Sequence, residues 1–155
     1  MGTRLQMVMG MLVGLLLTGC AEEAGLDQHG RKVPAERLEG QWLVINYWAE
    51  WCGPCRKEIP QLNALVERLA GQPVSVLGVN FDGLQGQALE KSAEALGIDF
   101  TVLAQDPASR YQLPRSEVLP VTYIVDPAGQ LREQLRGEQT AAGLLARLAA
   151  LQGEK

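Results

Sequence analysis

The stretch Trp51-Cys52-Gly53-Pro54-Cys55 decides the fold, because it joins a segment of strand character to one of helical periodicity. The apolar, β-branched and aromatic run Trp42–Trp48 precedes it and predicts a strand buried on both faces. Pro54 then opens a segment that predicts an amphipathic helix, with apolar residues at helical spacing at Leu62, Leu65, Val66 and Leu69. The two cysteines therefore sit where a strand ends and a helix begins.

This placement predicts a redox site. Unpaired N–H groups and the positive end of the helix dipole stabilise a thiolate at a helix N-terminus. We expect Cys52 to be exposed, to have a lowered pKa and to attack a substrate disulfide, while the shielded Cys55 resolves the mixed disulfide. Trp51 and Pro54 are expected to shape the rim that meets the substrate, and Gly53 with Pro54 to keep the dithiol compact.

The same residues resemble a known family. The five-residue motif is that of thioredoxin, and the flanks Asn46-Tyr47-Trp48-Ala49-Glu50 and Arg56-Lys57-Glu58-Ile59-Pro60 resemble the membrane-tethered TlpA/ResA branch of thiol-disulfide oxidoreductases. The resemblance covers roughly residues 25–152. It implies an α/β, thioredoxin-like fold whose central mixed sheet is flanked by helices, with an extra αβ insert and an N-terminal hairpin.

The composition of the chain limits the number of domains and the kinds of ligand that it can bind. A chain of 155 residues suits one domain, and a net charge of −4 without a basic run argues against nucleic-acid binding. The chain has three cysteines and one histidine, His29, which we interpret as a solvated loop residue. A structural zinc site needs four ligands, so we expect neither a metal nor any cofactor besides the Cys52–Cys55 disulfide.

The N-terminus predicts export and lipidation. Arg4 and a short apolar run at 7–17 suit a secretory signal, and Leu17-Thr18-Gly19-Cys20 resembles the lipobox of bacterial lipoproteins. That resemblance implies a signal peptide at 1–19, a lipidated Cys20 in a tether at 20–25, and a domain at 26–155. The protein would then lie on the periplasmic side of the envelope, with Ala21 weakly favouring the outer membrane. An ordinary signal peptide with an unmodified Cys20 remains the alternative.

The rest of the chain predicts alternating elements. We expect a hairpin within 26–38, a second central strand at 73–80, and a helix at 85–96 followed by a strand at 100–103 as the extra αβ unit. A helical turn at 109–113 follows. A turn at 126–129 and a strand at 130–136 then lead to a final helix capped by Thr140, with a buried stripe at Leu144, Leu145, Leu148 and Leu151.

Three further site residues are Glu58, Leu119 and Pro120. Thioredoxins have a buried Asp, active in proton transfer, where this chain has Asn46, which cannot titrate. Glu58 follows Cys55 by three residues on the same helix, so it is our candidate for that role. The alternative is a solvated helix glutamate.

The run Leu119-Pro120-Val121 matches the place where thioredoxins have a cis-proline before a strand. The resemblance implies that Pro120 is cis and packs against the cysteine pair, and that the backbone of Leu119 binds an extended substrate. The alternative is a trans-proline that begins an edge strand.

The functional prediction is a reductase of protein disulfides in the cell envelope, with apocytochrome c as one possible client and a membrane electron donor. Two alternatives stay open. One is an oxidant or isomerase that uses the same residues, and the other is a binding module in which the Cys52–Cys55 disulfide is only structural.

Overall fold

The computed structural model describes residues 23–154. The predicted signal peptide, the lipidation site Cys20 and Ala21 lie outside these residues. The elements are, in chain order, β1 (Glu23–Leu26), β2 (Lys32–Pro34), a 3₁₀ turn (Ala35–Arg37), β3 (Trp42–Trp48), α1 (Gly53–Arg68), β4 (Val74–Asn80), α2 (Gly86–Ala95), β5 (Thr101–Leu103), α3 (Ala108–Tyr111), β6 (Val121–Val125), β7 (Leu131–Arg136) and α4 (Ala141–Gly153). Within 23–154, no helix is both long and apolar enough to cross a membrane.

The predicted central mixed sheet is confirmed. Its strand order is β5-β4-β3-β6-β7, with β3, β4 and β5 parallel and the β3–β6 and β6–β7 pairs antiparallel. Strand β3 lies in the middle and all seven of its residues are buried, as its unbroken apolar run predicts. The α2–β5 unit adds the edge strand next to β4, which matches the expected αβ insert.

The two faces of the sheet are covered differently. Helices α1, α2 and α4 share one apolar cluster with alternate residues of the strands, among them Val44, Trp48 and Ile124. The opposite face presents Ile45, Tyr47 and Tyr123, and the N-terminal hairpin, the 3₁₀ turn and α3 cover it. Thr140 caps α4 as expected, because its side chain accepts the N–H of Gly143.

The N-terminal hairpin closes the β5 edge of the sheet. Its first strand begins at Glu23 and so takes in residues that the sequence assigned to the tether. Asp27 bridges to Leu103, and the Gln28 amide donates to the Phe100 carbonyl (3.1 Å) and accepts the Val102 N–H (2.8 Å). A buried side chain thus replaces a missing neighbouring strand at an edge that would otherwise be open.

One predicted core residue is exposed. Leu62, Leu65 and Leu69 are buried on α1 as expected, but Val66 is an exposed apolar residue. It follows Leu65 by one position and therefore turns about 100° away from the face that packs on the sheet.

Candidate active site

The cysteine pair lies at the carboxyl end of β3. Cys52 is the N-cap of α1, and Gly53 and Pro54 form the first turn of the helix. The two sulfurs are bonded at 2.05 Å, the Cα atoms lie 5.3 Å apart, and Sγ of Cys52 accepts the backbone N–H of Cys55 at 3.2 Å. The strand–helix junction thus brings the predicted pair together, and the helix N-terminus faces the outer sulfur.

The prediction that Cys52 is exposed is wrong for this oxidised state. Cys52 is 4% exposed and Cys55 0%, and both residues belong to the core cluster that includes Ala49. Cys52 is still the outer member of the pair. Disulfide-bonded cysteines do not titrate, so the lowered pKa of Cys52 stays a prediction.

The rim beside the pair is aromatic. Trp51 is 64% exposed, and its Nε1 donates to Oδ2 of Asp82 at 2.9 Å. Its ring packs edge to face against Phe81, with 6.4 Å between the centroids. Neither Phe81 nor Asp82 was predicted as a site residue, although both directly follow strand β4, whose end neighbours that of β3.

The loop before Trp51 is tied to two helices. The Arg56 guanidinium donates to the backbone oxygen of Glu50 through Nε (2.8 Å) and Nη2 (2.6 Å). The hydroxyl of Ser92 on α2 donates to Oε2 of Glu50 at 2.9 Å. These contacts fix the approach of the chain to the cysteine pair.

The Leu119–Pro120 peptide bond is cis, as the resemblance implied. Pro120 is buried directly before β6, and Val121 pairs with Tyr47 near the end of β3, so Pro120 lies at the same end of the sheet as the cysteines. Leu119 is half-buried and packs against the cluster that contains Cys52. Binding of a substrate backbone by Leu119 stays a prediction.

Glu58 is buried in a polar network on the face of the sheet that α1, α2 and α4 cover. Its side chain is 1% exposed; Oε2 accepts from Nδ2 of Asn46 and Oε1 from the backbone N–H of Gln139, both at 2.9 Å. The interpretation of Glu58 as a solvated helix residue is therefore wrong. Asn46 also donates to Oγ1 of Thr122 at 3.0 Å, while its own Oδ1 finds no partner within residues 23–154.

The environment of Glu58 favours its neutral form. Burial raises the pKa of Glu58 from 4.5 to about 7, against the opposing effect of the hydrogen bonds from Gln139 and Asn46; the nearby charge of Glu138 raises it further. A carboxyl group with this pKa exchanges protons near neutral pH, one helical turn after Cys55 on the same helix. The partner Gln139 could not be found from sequence, because it lies 81 residues away.

Fold and site together define a thioredoxin-like domain with a cysteine pair at a helix N-terminus. The sequence model of the AhpC/TSA family matches residues 19–134, and the chain belongs to that family. It is also similar to the thiol-disulfide oxidoreductase ResA of Bacillus thuringiensis, with 28% identity over 114 residues. That alignment covers 74% of this chain and 65% of ResA, so the chain spans less than two thirds of the relative's length.

Solved structures agree on the fold. A DsbF homologue from Corynebacterium diphtheriae superposes with a TM-score of 0.68 at 22% identity, covering 84% of this chain and 85% of the other. StoA from Bacillus subtilis gives a TM-score of 0.59 at 23% identity, covering 77% of this chain and 91% of the other. At these identities the similarity establishes the thioredoxin-like fold.

Proposed function

We propose that this protein is a thiol-disulfide oxidoreductase that reduces disulfides of other proteins. The observation that carries the proposal is the Cys52–Cys55 pair at the N-terminus of α1, followed one turn later by the buried carboxyl group of Glu58. A purely structural disulfide needs neither a helix N-terminus beside its outer sulfur nor a titratable group behind it. The similarity to ResA supports the same activity.

In the net reaction, two electrons and two protons pass from the cysteine pair to the client disulfide. The thiolate of Cys52 attacks one sulfur of the client disulfide, forms a mixed disulfide and releases the other client sulfur as a thiolate. The thiolate of Cys55 then attacks Sγ of Cys52 and releases the second client sulfur as a thiolate. The two client thiolates take up two protons, which balance those that Cys52 and Cys55 gave up. The client is reduced to a dithiol, and the protein is left with the Cys52–Cys55 disulfide.

Glu58 is suited to accept the proton of Cys55 in the second step. With a pKa of about 7, it can take up and return a proton at neutral pH, whereas Asn46 cannot. Asn46 instead holds the carboxyl group in place through its 2.9 Å hydrogen bond.

The proposal extends to location and direction. Residues 1–20 resemble a lipoprotein signal, so we place the protein on the periplasmic side of the envelope, anchored through Cys20. Gly53-Pro54 between the cysteines resembles the same pair in reducing thioredoxins. This resemblance supports a reductase that a membrane electron donor reduces again after each turnover.

Metabolic labelling with a radioactive fatty acid tests the anchor. The wild-type chain should be labelled and Cys20→Ser should not, whereas equal labelling would exclude Cys20 as the site.

Trapping of the mixed disulfide tests the activity. We expect reduced Cys55→Ser to form a stable adduct with hydroxyethyl disulfide through Cys52, detected by mass spectrometry. Cys52→Ser should react far more slowly, because Cys55 is fully buried. Equal adduct formation by the two variants, or insulin reduction by the double variant at the wild-type rate, would contradict the proposal and favour a structural disulfide.

A further inference from the structure

A cavity of about 370 Å³ opens on the face of the sheet opposite α1 and α4. The edge-to-face pair Tyr47 and Tyr123 lies on its strand side, with ring centroids 5.5 Å apart. The other lining residues include Phe81, Asp106, Ala108, Pro114, Arg115 and Val121. The volume is near the lower end of the roughly 300–1,000 Å³ range of small-ligand sites, which suits a side chain better than a large cofactor.

The cavity is continuous with the rim of the cysteine pair at two points. Phe81 lines the cavity and also packs edge to face against Trp51. Val121 lines it too and directly follows Pro120. The loop between α3 and β6 therefore forms one wall of the cavity at 113–116 and continues to Leu119, beside the cysteines.

The chemistry of the walls favours an apolar guest. The carboxylate of Asp106 is already engaged, since its Oδ1 accepts the hydroxyl of Tyr47 (2.5 Å) and the N–H of Ala108 (2.8 Å). The hydroxyl of Tyr123 donates to the Pro114 carbonyl. Arg115 is the exception: within residues 23–154 its guanidinium has no hydrogen bond or ion pair, so it favours a neutral or acidic segment over a basic one.

We propose that this cavity binds an aromatic or branched aliphatic side chain of the client polypeptide, close in sequence to the client cysteine. The inference rests on the proposed reductase function, because it assigns the client a position beside the Cys52–Cys55 pair. It adds a specificity element on the sheet face away from Glu58. Clients are then selected by an apolar residue near the cysteine, in a segment without excess positive charge.

Peptide kinetics test the proposal. The probes are short acidic peptides with one cysteine, whose sulfur is joined to 2-mercaptoethanol as a mixed disulfide. In a series of these peptides, each position near the cysteine carries either Phe or Ala. Reduced wild-type protein should react roughly ten- to a hundredfold faster with Phe than with Ala at one or two of these positions, as burial of a large apolar group predicts. Equal rates for Phe and Ala at every position would overturn the inference.

A variant whose cavity is filled provides a second test of the proposal. Ala108→Leu adds volume inside the cavity, and Ala128→Leu adds the same group in the exposed β6–β7 turn at the other end of the sheet. Ala108→Leu should bring the rate for the Phe peptide down to that for the Ala peptide, while Ala128→Leu should keep the preference. Retention of the full preference by Ala108→Leu, with an unchanged circular dichroism spectrum, would contradict the inference. If Ala108→Leu does not fold, the comparison of Phe and Ala peptides with the wild-type protein tests the proposal by itself.

The small substrate hydroxyethyl disulfide separates this inference from the proposed function. It has no side chain to place in the cavity, so wild type and Ala108→Leu should reduce it at the same rate. Turnover of this substrate without any Phe preference refutes the cavity and leaves the reductase function standing. Failure of the wild-type protein to reduce either kind of substrate refutes both.

Discussion

Nδ2 of Asn46 lies 2.9 Å from Oε2 of Glu58, which joins the central strand to the helix that carries the cysteines. The amide cannot take up a proton itself, but it orients the carboxyl group that can. Gln139 binds the other carboxyl oxygen through its backbone N–H, so the segment before α4 is tied to the same group. Proton exchange at Glu58 thus involves three separate parts of the fold.

Glu58 should make stability fall as the pH rises. Its pKa is raised from 4.5 to about 7, so the folded state binds the proton more tightly than the unfolded state does. The contribution of Glu58 to the free energy of unfolding is therefore fully present below about pH 4.5. It declines by roughly 2–4 kcal/mol as the pH rises to about 7. Urea unfolding of the oxidised protein at a series of pH values measures this decline. Glu58→Gln should lack it, and a parallel decline in both proteins would refute the assignment.

Asn46→Asp should destabilise the protein more at pH 8 than at pH 5. The new carboxylate would lie beside that of Glu58, and two carboxylates at this separation cannot both ionise without a large cost. At pH 5 they can share a proton. We expect the loss in free energy of unfolding to be roughly 1–3 kcal/mol larger at pH 8. In a double-mutant cycle with Glu58→Gln this extra loss should disappear; its persistence would show that the two side chains do not interact.

Gln28→Ala should weaken the β5 edge. It leaves the buried backbone groups of Phe100 and Val102 without their partner, at a cost of about 1–3 kcal/mol. Hydrogen exchange should show faster exchange of the Val102 amide than in the wild type. The control is Gln72→Ala, an exposed glutamine whose side chain donates to the Arg68 carbonyl, for which we expect a change within about 0.5 kcal/mol. Equal effects of the two substitutions would argue against the closing role of Gln28.

Gly78→Ala should destabilise the sheet by overpacking. A Cβ there would lie 3.0 Å from the Phe100 ring and 3.1 Å from both Nε1 of Trp48 and a methyl group of Val102. We expect a loss of about 1–3 kcal/mol in thermal or urea unfolding. Gly153→Ala is the matched control at the end of α4, where a Cβ would meet no heavy atom of residues 23–154 within 4 Å. A neutral Gly78→Ala would show that the strands can separate to admit a methyl group.

Local signals in the sequence were enough to predict the framework. The unbroken apolar run of β3 predicted a central strand, and Thr140 before a leucine stripe predicted where α4 begins. These features depend on neighbours within a few residues, so the sequence displays them directly. The cis state of Pro120 is different, because it followed only from the family resemblance.

Contacts between distant residues could not be predicted. Asn46 and Glu58 were each singled out, but their hydrogen bond depends on how α1 packs on the sheet. The burial of Cys52 depends likewise on its place in the core cluster, whose members come from distant parts of the chain. The cavity lined by Tyr47 and Tyr123 combines residues from β3, β6, α3 and three loops, and none of these segments alone indicates it.

The reduction potential of the Cys52–Cys55 pair tests the reductase proposal most directly. A soluble chain that starts after Cys20 is equilibrated with dithiothreitol or glutathione buffers, and its free thiols are trapped and counted. We predict a potential below about −230 mV, in the range of reducing thioredoxins near roughly −270 mV. A value above about −150 mV, closer to strong disulfide oxidants near −120 mV, would contradict the proposal and make the protein an oxidant.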